Sequence, residues 1–197
     1  MIWPGAPRVV ALRAVAIAER YADHGLGDDA GAVSRFLAFE RQPTADGGRA
    51  LGVDSALLAW CFCLAWAETV GIQAPDRSNQ CLYGSPADPW LAIERLALPD
   101  VREEMWLADG SPREVMDDAA GRGRWLADDC SAGLRIKPGW IAVSDRDGDG
   151  VPDALGLVRL GAEILETIEA ELDDDGAPIA VRRAHGYTLV FGYVRTW

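Results

Sequence analysis

The most apolar run of the sequence, residues 56–70, limits how this chain can fold. A segment of this length that is apolar on all sides is typical of a buried helix, and Gly71 directly after it is a typical helix end. The 197 residues suit a single domain, 1–197, which is long enough to bury most of its apolar surface. The run therefore predicts a helix in the interior of one domain.

The hydrophobic period changes along the chain from helical to alternating. Helical spacing predicts further helices at residues 8–22 and 30–40, and helix-start signals predict short helices at about 90–98, 100–108 and 113–120. The last of them follows a capping box formed by Ser111 and Glu114. After Pro138-Gly139 the period becomes two, which predicts strands at 140–144, 155–160, 163–170 and 187–195. Helices first and a mostly antiparallel sheet last indicate an α+β fold.

The charge balance disfavours two classes of partner. With 19 Lys and Arg against 31 Asp and Glu, the net charge is −12, which disfavours binding to nucleic acid and to anionic membranes. The small basic pairs, Arg122 with Arg124 and Arg182 with Arg183, are expected on the solvated surface. Arg13 interrupts the apolar N-terminal segment, so we expect no signal peptide, no membrane span and synthesis in the cytoplasm.

Four carboxylates lie close together after the first predicted strand. Asp145, Asp147, Asp149 and Asp153 occupy the first, third, fifth and ninth positions of a glycine-bearing turn, an arrangement that Ca²⁺ favours. Gly156 stands at the twelfth position, where an EF-hand has Glu, so the segment is not a standard EF-hand. A structural Ca²⁺ site and an acidic solvated hairpin both explain the pattern.

Cys61 is the candidate nucleophile, and its position in the helix decides its chemistry. A thiol at a helix N-terminus is readily ionised, whereas a thiol in the interior of an apolar helix is inert. Capping by Asp54 or Ser55 would start the helix early and leave Cys61 in its interior. The two histidines, His24 in a turn and His185 before the last strand, are both expected at the surface.

Several segments, read in order, carry a resemblance to a known family. They are Gly25–Gly31, Trp60-Cys61 to Gly71, Leu134–Val143, Asp147–Val158, Thr167–Glu171 and Phe191–Arg195. Together they resemble the cell-wall-lytic cysteine peptidases of the NlpC/P60 and CHAP type, found in bacteria and in phage endolysins and tails. The resemblance implies a papain-like fold, with the N-terminal helices packed on the C-terminal sheet. Residues 73–129 do not align and are expected to be a helical insertion.

The resemblance also implies roles for individual residues. Cys61 falls on the nucleophile, so the helix would begin near Trp60 and present the thiol to the strand that carries Ala154. Glu169 falls on the polar residue that orients the catalytic histidine. The histidine position itself falls on Ala154, and without an imidazole the thiol lacks its base. The site would then be degenerate, and Ala154→His would restore the missing base.

Two further departures from the family and two functional hypotheses follow. Glu171 stands for the family's asparagine, and Trp140 for its aspartate. One hypothesis is a peptidoglycan amidase or endopeptidase in which His24 or His185 substitutes as the base. The alternative is a non-catalytic structural or wall-binding component of a phage tail or related assembly. Its partner would be a peptidoglycan stem peptide or another protein, and it would be virion-associated or released to the cell wall.

Overall fold

The computed structural model describes residues 7–30, 33, 52–69, 111–128, 136–161, 164–185 and 190–197. These residues form an α+β arrangement, which confirms the predicted class. The helices are α1 (Pro7–His24), α2 (Val53–Thr69) and α3 (Pro112–Gly121), and a 3-10 turn, Gly27–Asp29, follows α1. The strands are β1 (Trp125–Ala127), β2 (Ile141–Ser144), β3 (Ala154–Gly161), β4 (Leu165–Leu172), β5 (Pro178–His185) and β6 (Val190–Val194).

The six strands form one sheet in the order β1-β6-β2-β3-β4-β5, and all neighbouring pairs are antiparallel. Strands β2, β3, β4 and β6 confirm the four predicted strands, whereas β5 was not predicted. Strand β1 lies within residues 73–129, and its pairing with β6 makes this end of the expected helical insertion part of the main sheet. The predicted helices at 90–98 and 100–108, and most of 30–40, lie outside the described residues.

The two faces of the sheet differ in what they contact. One face, which we call the helix face, packs against α1 and α2 through Ile141, Val143, Leu155, Leu157, Ile168, Ala170 and Val194. The opposite face, the outer face, carries a second apolar cluster of Trp140, Ala142, Val158, Leu165, Val190 and Tyr193. Because side chains alternate along a strand, the register assigns further residues to the outer face. These are Ser144, Ala154, Thr167, Glu169, Arg183 and His185.

Helix α2 is the buried helix that the apolar run predicts. Every residue from Asp54 to Ala67 is buried, because α1 covers one side of the helix and the sheet covers another. The indole Nε1 of Trp60 donates to the Tyr21 hydroxyl at 3.0 Å, and that hydroxyl donates to Asp29 at 2.6 Å. This chain of bonds satisfies polar atoms between α1 and α2 that would otherwise be costly to bury. Among the described residues, no helix is long and apolar enough to cross a membrane.

Two local sequence features have direct structural effects, and the first of them confirms a prediction. The capping box before α3 forms, with the Ser111 N–H donating to the Glu114 carboxylate at 2.8 Å. Gly139, in the turn before β2, has φ 89°. A Cβ atom added there would lie 2.7 Å from the Cβ of Ala11, so the glycine allows close contact between this turn and α1.

Candidate functional site

Cys61 does not lie at a helix N-terminus. Helix α2 begins at Val53, not near Trp60, so Cys61 is its ninth residue and has no exposed surface. Burial raises the pKa of the thiol well above its usual range, and the negative charge of Asp29 adds to this, although Arg20 opposes it. These charged groups belong to α1 and the turn after it. The structure therefore supports the inert alternative, in which the helix starts early and Cys61 lies in its interior.

Asp54 occupies the first turn of α2, where the nucleophile was expected. Its Oδ1 accepts a hydrogen bond from the Ala170 N–H at 2.7 Å, and its Oδ2 accepts one from the Leu155 N–H at 3.2 Å. The β3–β4 register pairs Leu157 with Ile168. Continued two residues further, the same register places Leu155 opposite Ala170. The carboxylate thus bridges β3 and β4 at the point where their ladder ends.

Arg146 joins Asp54 to a second buried carboxylate. Its Nη2 lies 3.4 Å from Asp54 Oδ2 and 2.9 Å from Glu169 Oε2. Burial raises the pKa of Asp54 to about 6, and the negative charge of Glu169 contributes, while Arg146 and the two backbone N–H groups act in the opposite direction. The carboxylates of Asp54 and Glu169 thus share the guanidinium of Arg146 at the N-terminal end of α2.

Glu169 is the centre of a polar cluster on the outer face. Only 1% of the Glu169 side chain is exposed. Its Oε1 lies 2.7 Å from His185 Nε2 and accepts a hydrogen bond from the Thr167 hydroxyl at 2.9 Å. Its Oε2 lies 3.1 Å from Arg183 Nε. Burial alone would raise the pKa of Glu169, but the contacts with His185, Thr167 and Arg146 outweigh it and lower the pKa. Glu169 is therefore held in its ionised form.

The residues expected to form a catalytic triad are not brought together. Cys61 belongs to the core on the helix face, whereas Ala154 and Glu169 point to the outer face, so the sheet lies between the thiol and the other two. Of the two candidate bases, His24 is exposed at the end of α1, and His185 is held by Glu169 and Thr167. Glu169 does orient an imidazole, but it is that of His185 on the neighbouring strand.

Sequence reasoning missed three members of this cluster. Asp54 was considered only as a helix cap, although a carboxylate that is buried at the start of an apolar helix needs partners for its charge. Arg146 is the one cation within the acidic segment, and this exception in the charge pattern was the available signal. Arg183 was expected on the solvated surface, whereas it contacts buried Glu169 and also pairs with Glu171. No local pattern marks that contact.

The acidic segment between β2 and β3 forms a loop that is organised around Asp145. The carboxylate of Asp145 accepts backbone bonds from Gly148, Asp149 and Gly150, at 2.6, 3.2 and 2.7 Å. Burial opposes ionisation of Asp145, but these bonds outweigh it and lower the pKa. Gly150, the sixth position of the loop, has φ 85°, a conformation that glycine adopts readily.

Part of the expected Ca²⁺ ligand set lies together in this loop. One carboxylate oxygen each from Asp145, Asp147 and Asp149 lies within 4.8 Å of the others. Asp153 is engaged elsewhere, because its carboxylate accepts the Arg146 backbone N–H at 2.7 Å. The hydrogen bond from the Asp149 N–H lowers the pKa of Asp147, but partial desolvation and the charges of the neighbouring carboxylates together outweigh it and raise the pKa. The donor set fits a hard cation with three protein carboxylates rather than four.

Comparison with known proteins identifies no relative. No family model, no curated protein and no solved structure matches the chain.

The loop geometry generates a prediction about cation binding. Calorimetric titration should show one Ca²⁺ bound with a Kd of about 10⁻³ M or tighter, as in weak oxygen-ligand sites. Asp149→Asn should weaken binding because it removes a charged ligand. Asp173→Asn, in the separate acidic β4–β5 hairpin, is the matched control and should bind normally. If both variants lose Ca²⁺ affinity equally, or if the wild type gives no heat of binding at millimolar Ca²⁺, the prediction is wrong and the segment is a solvated acidic loop.

The raised pKa of Asp54 generates a prediction about stability and pH. Because the folded state holds this proton more tightly than the unfolded chain, the contribution of Asp54 to stability falls as pH rises from about 4 to about 6. The free energy of unfolding of wild type and Asp54→Asn is measured with urea at pH 5.0 and 7.5. Lowering the pH from 7.5 to 5.0 should stabilise the wild type by about 1 to 1.5 kcal/mol relative to Asp54→Asn. A difference that does not change with pH would contradict the assignment.

Ala154→His should not create activity, contrary to the expectation from the resemblance. The new imidazole would point away from Cys61, and the methyl group of Ala154 already has no exposed surface. Inserting a larger side chain there should cost about 1–3 kcal/mol and lower the melting temperature. Ala184→His, at an exposed position on β5, is the control for stability. Release of muropeptides by Ala154→His that Cys61→Ala abolishes would refute this geometry.

Proposed function

We propose that this chain is a non-catalytic domain of the NlpC/P60 or CHAP peptidase type, acting as a wall-binding or structural component of an assembly such as a phage tail. One observation carries the proposal: the sheet separates Cys61 from Ala154 and Glu169. A thiol in the middle of a buried helix does not reach a substrate on the outer face. The absence of an imidazole at position 154 is consistent with this separation.

The pairing of buried charges also supports a structural role. Within the described residues, the carboxylates of Asp54, Asp145 and Glu169 are buried, and each accepts hydrogen bonds from several donors. A hydrolytic site needs a group that is free to take a proton from the substrate or nucleophile. Here the acidic groups connect α2, the acidic loop and β5, which is what a structural cluster does.

The link to the cell wall comes from the motif resemblance. The matching segments fall largely on β2, β3, β4 and β6, which form the centre of the sheet. A domain that keeps these strands and lacks a working nucleophile retains the frame of a peptidase without its chemistry. Its partner is then a peptidoglycan stem peptide or another protein of the assembly, and the net charge of −12 disfavours nucleic acid.

A second candidate, a peptidoglycan hydrolase with His185 as base, has one observation in its favour. Glu169 lies 2.7 Å from His185 Nε2, the contact by which a carboxylate orients a catalytic imidazole. This candidate requires a nucleophile other than Cys61, because Cys61 lies on the opposite side of the sheet.

One experiment separates the two candidates. Purified peptidoglycan is incubated with wild type, Cys61→Ala, His185→Ala and the control His24→Ala, and muropeptide release and co-sedimentation are measured. We expect no release from any of the four proteins, and equal co-sedimentation of wild type and Cys61→Ala. Release that His185→Ala abolishes and His24→Ala preserves would establish the hydrolase. An absence of both release and co-sedimentation would rule out wall binding and leave the structural role in an assembly.

A further inference from the structure

The two oxygens of the Asp54 carboxylate hold different parts of the fold. Oδ1 accepts the Ala170 N–H at 2.7 Å and so connects α2 to β4. Oδ2 accepts the Leu155 N–H at 3.2 Å and faces Arg146 Nη2 at 3.4 Å. Since Arg146 lies in the acidic loop and Leu155 near the start of β3, the Oδ2 contacts connect α2 to the β2–β3 connection. The two sets of contacts are therefore separable.

A proton added to this carboxylate would go to Oδ2. Each of its two contacts, at 3.2 and 3.4 Å, is longer and has weaker geometry than the 2.7 Å contact of Oδ1, so Oδ2 is the oxygen that is held less tightly. A protonated oxygen is a poor acceptor for the Leu155 N–H and no longer attracts a guanidinium. Arg146 keeps its shorter contact with Glu169, at 2.9 Å, and Ala170 keeps its bond to Oδ1.

We propose that Asp54 is a proton-controlled latch between α2 and the β2–β3 connection. When Oδ2 is protonated, the helix releases the start of β3 and loosens Arg146 with its acidic loop, while it stays bonded to β4. The latch goes beyond the proposed function, because it concerns how the acidic loop is held, whatever the loop binds.

The surrounding charges determine which group takes the proton in mild acid. The charged groups that act on Asp54 are Arg146 from the loop and Glu169 from β4, and Glu169 in turn faces Arg183 and His185 from β5. Contacts with His185, Thr167 and Arg146 lower the pKa of Glu169, so that carboxylate stays ionised. Burial and the charge of Glu169 raise the pKa of Asp54 to about 6, so Asp54 titrates first.

Residue-resolved amide exchange in EDTA, at pH 7.5 and 5.0, tests the latch. In the wild type, the protection factors of Leu155 and of the loop amides Gly148 and Gly150 should fall about tenfold or more at pH 5.0. The protection factor of Ala170 should not change. In Asp54→Asn, Leu155 and the loop amides should already have low protection at pH 7.5 and should not respond to pH.

Two further variants keep the proposal falsifiable. Asp147→Asn removes a carboxylate of the acidic loop whose pKa is also raised, and it should preserve the pH response. Arg146→Met should lower loop protection at both pH values while Leu155 still responds, and it replaces Asp54→Asn as the test if that variant does not fold. The latch is refuted if Asp147→Asn abolishes the fall in protection at pH 5.0, or if Asp54→Asn retains it. It is also refuted if the loop amides of Arg146→Met respond to pH as in the wild type, or if Ala170 loses protection together with Leu155.

Discussion

A carboxylate buried in the first turn of a largely apolar helix determines how this helix lies against the sheet. Burying Asp54 is unfavourable unless its charge is compensated, and the compensation comes from two strands and one loop. Because both backbone donors lie where β3 and β4 separate, the helix can satisfy its carboxylate in only one position along the sheet. Sliding α2 by one turn would leave Asp54 and two N–H groups without partners. The apolar contacts of α2 tolerate more variation than this junction does.

The same carboxylate begins a chain of charges that crosses the outer side of the sheet. Arg146 links Asp54 to Glu169, Arg183 links Glu169 to Glu171, and these residues come from α2, a loop, β4 and β5. Such a cluster adds little net stability compared with apolar packing, but breaking one partner leaves another charge buried and costs about 3–5 kcal/mol. The cluster therefore favours one relative arrangement of α2, the acidic loop, β4 and β5. Apolar packing alone would define that arrangement less well.

Local patterns predict most of the elements, and long-range contacts account for what they miss. Helical spacing and the capping box predict α1 and α3, the apolar run predicts α2, and alternation predicts four of the six strands. Strand β5 was missed because Arg183 and its neighbour were interpreted as solvated surface. The site was missed because its partners are distant in sequence: Asp54 and Ala170 are 116 positions apart. The motif around Cys61 was correctly located on a helix, but the start of that helix depends on residues before the motif.

The burial of the two thiols in α2 has a consequence for how the core can be observed. The side chains of Cys61 and Cys63 have no exposed surface, so a disulfide reagent in solution reaches them only when the helix separates from its neighbours. When opening is fast compared with labelling, the observed labelling rate is the intrinsic rate multiplied by the fraction of molecules that are open. The labelling rates of these two buried side chains therefore report the free energy needed to separate α2 from the elements packed against it.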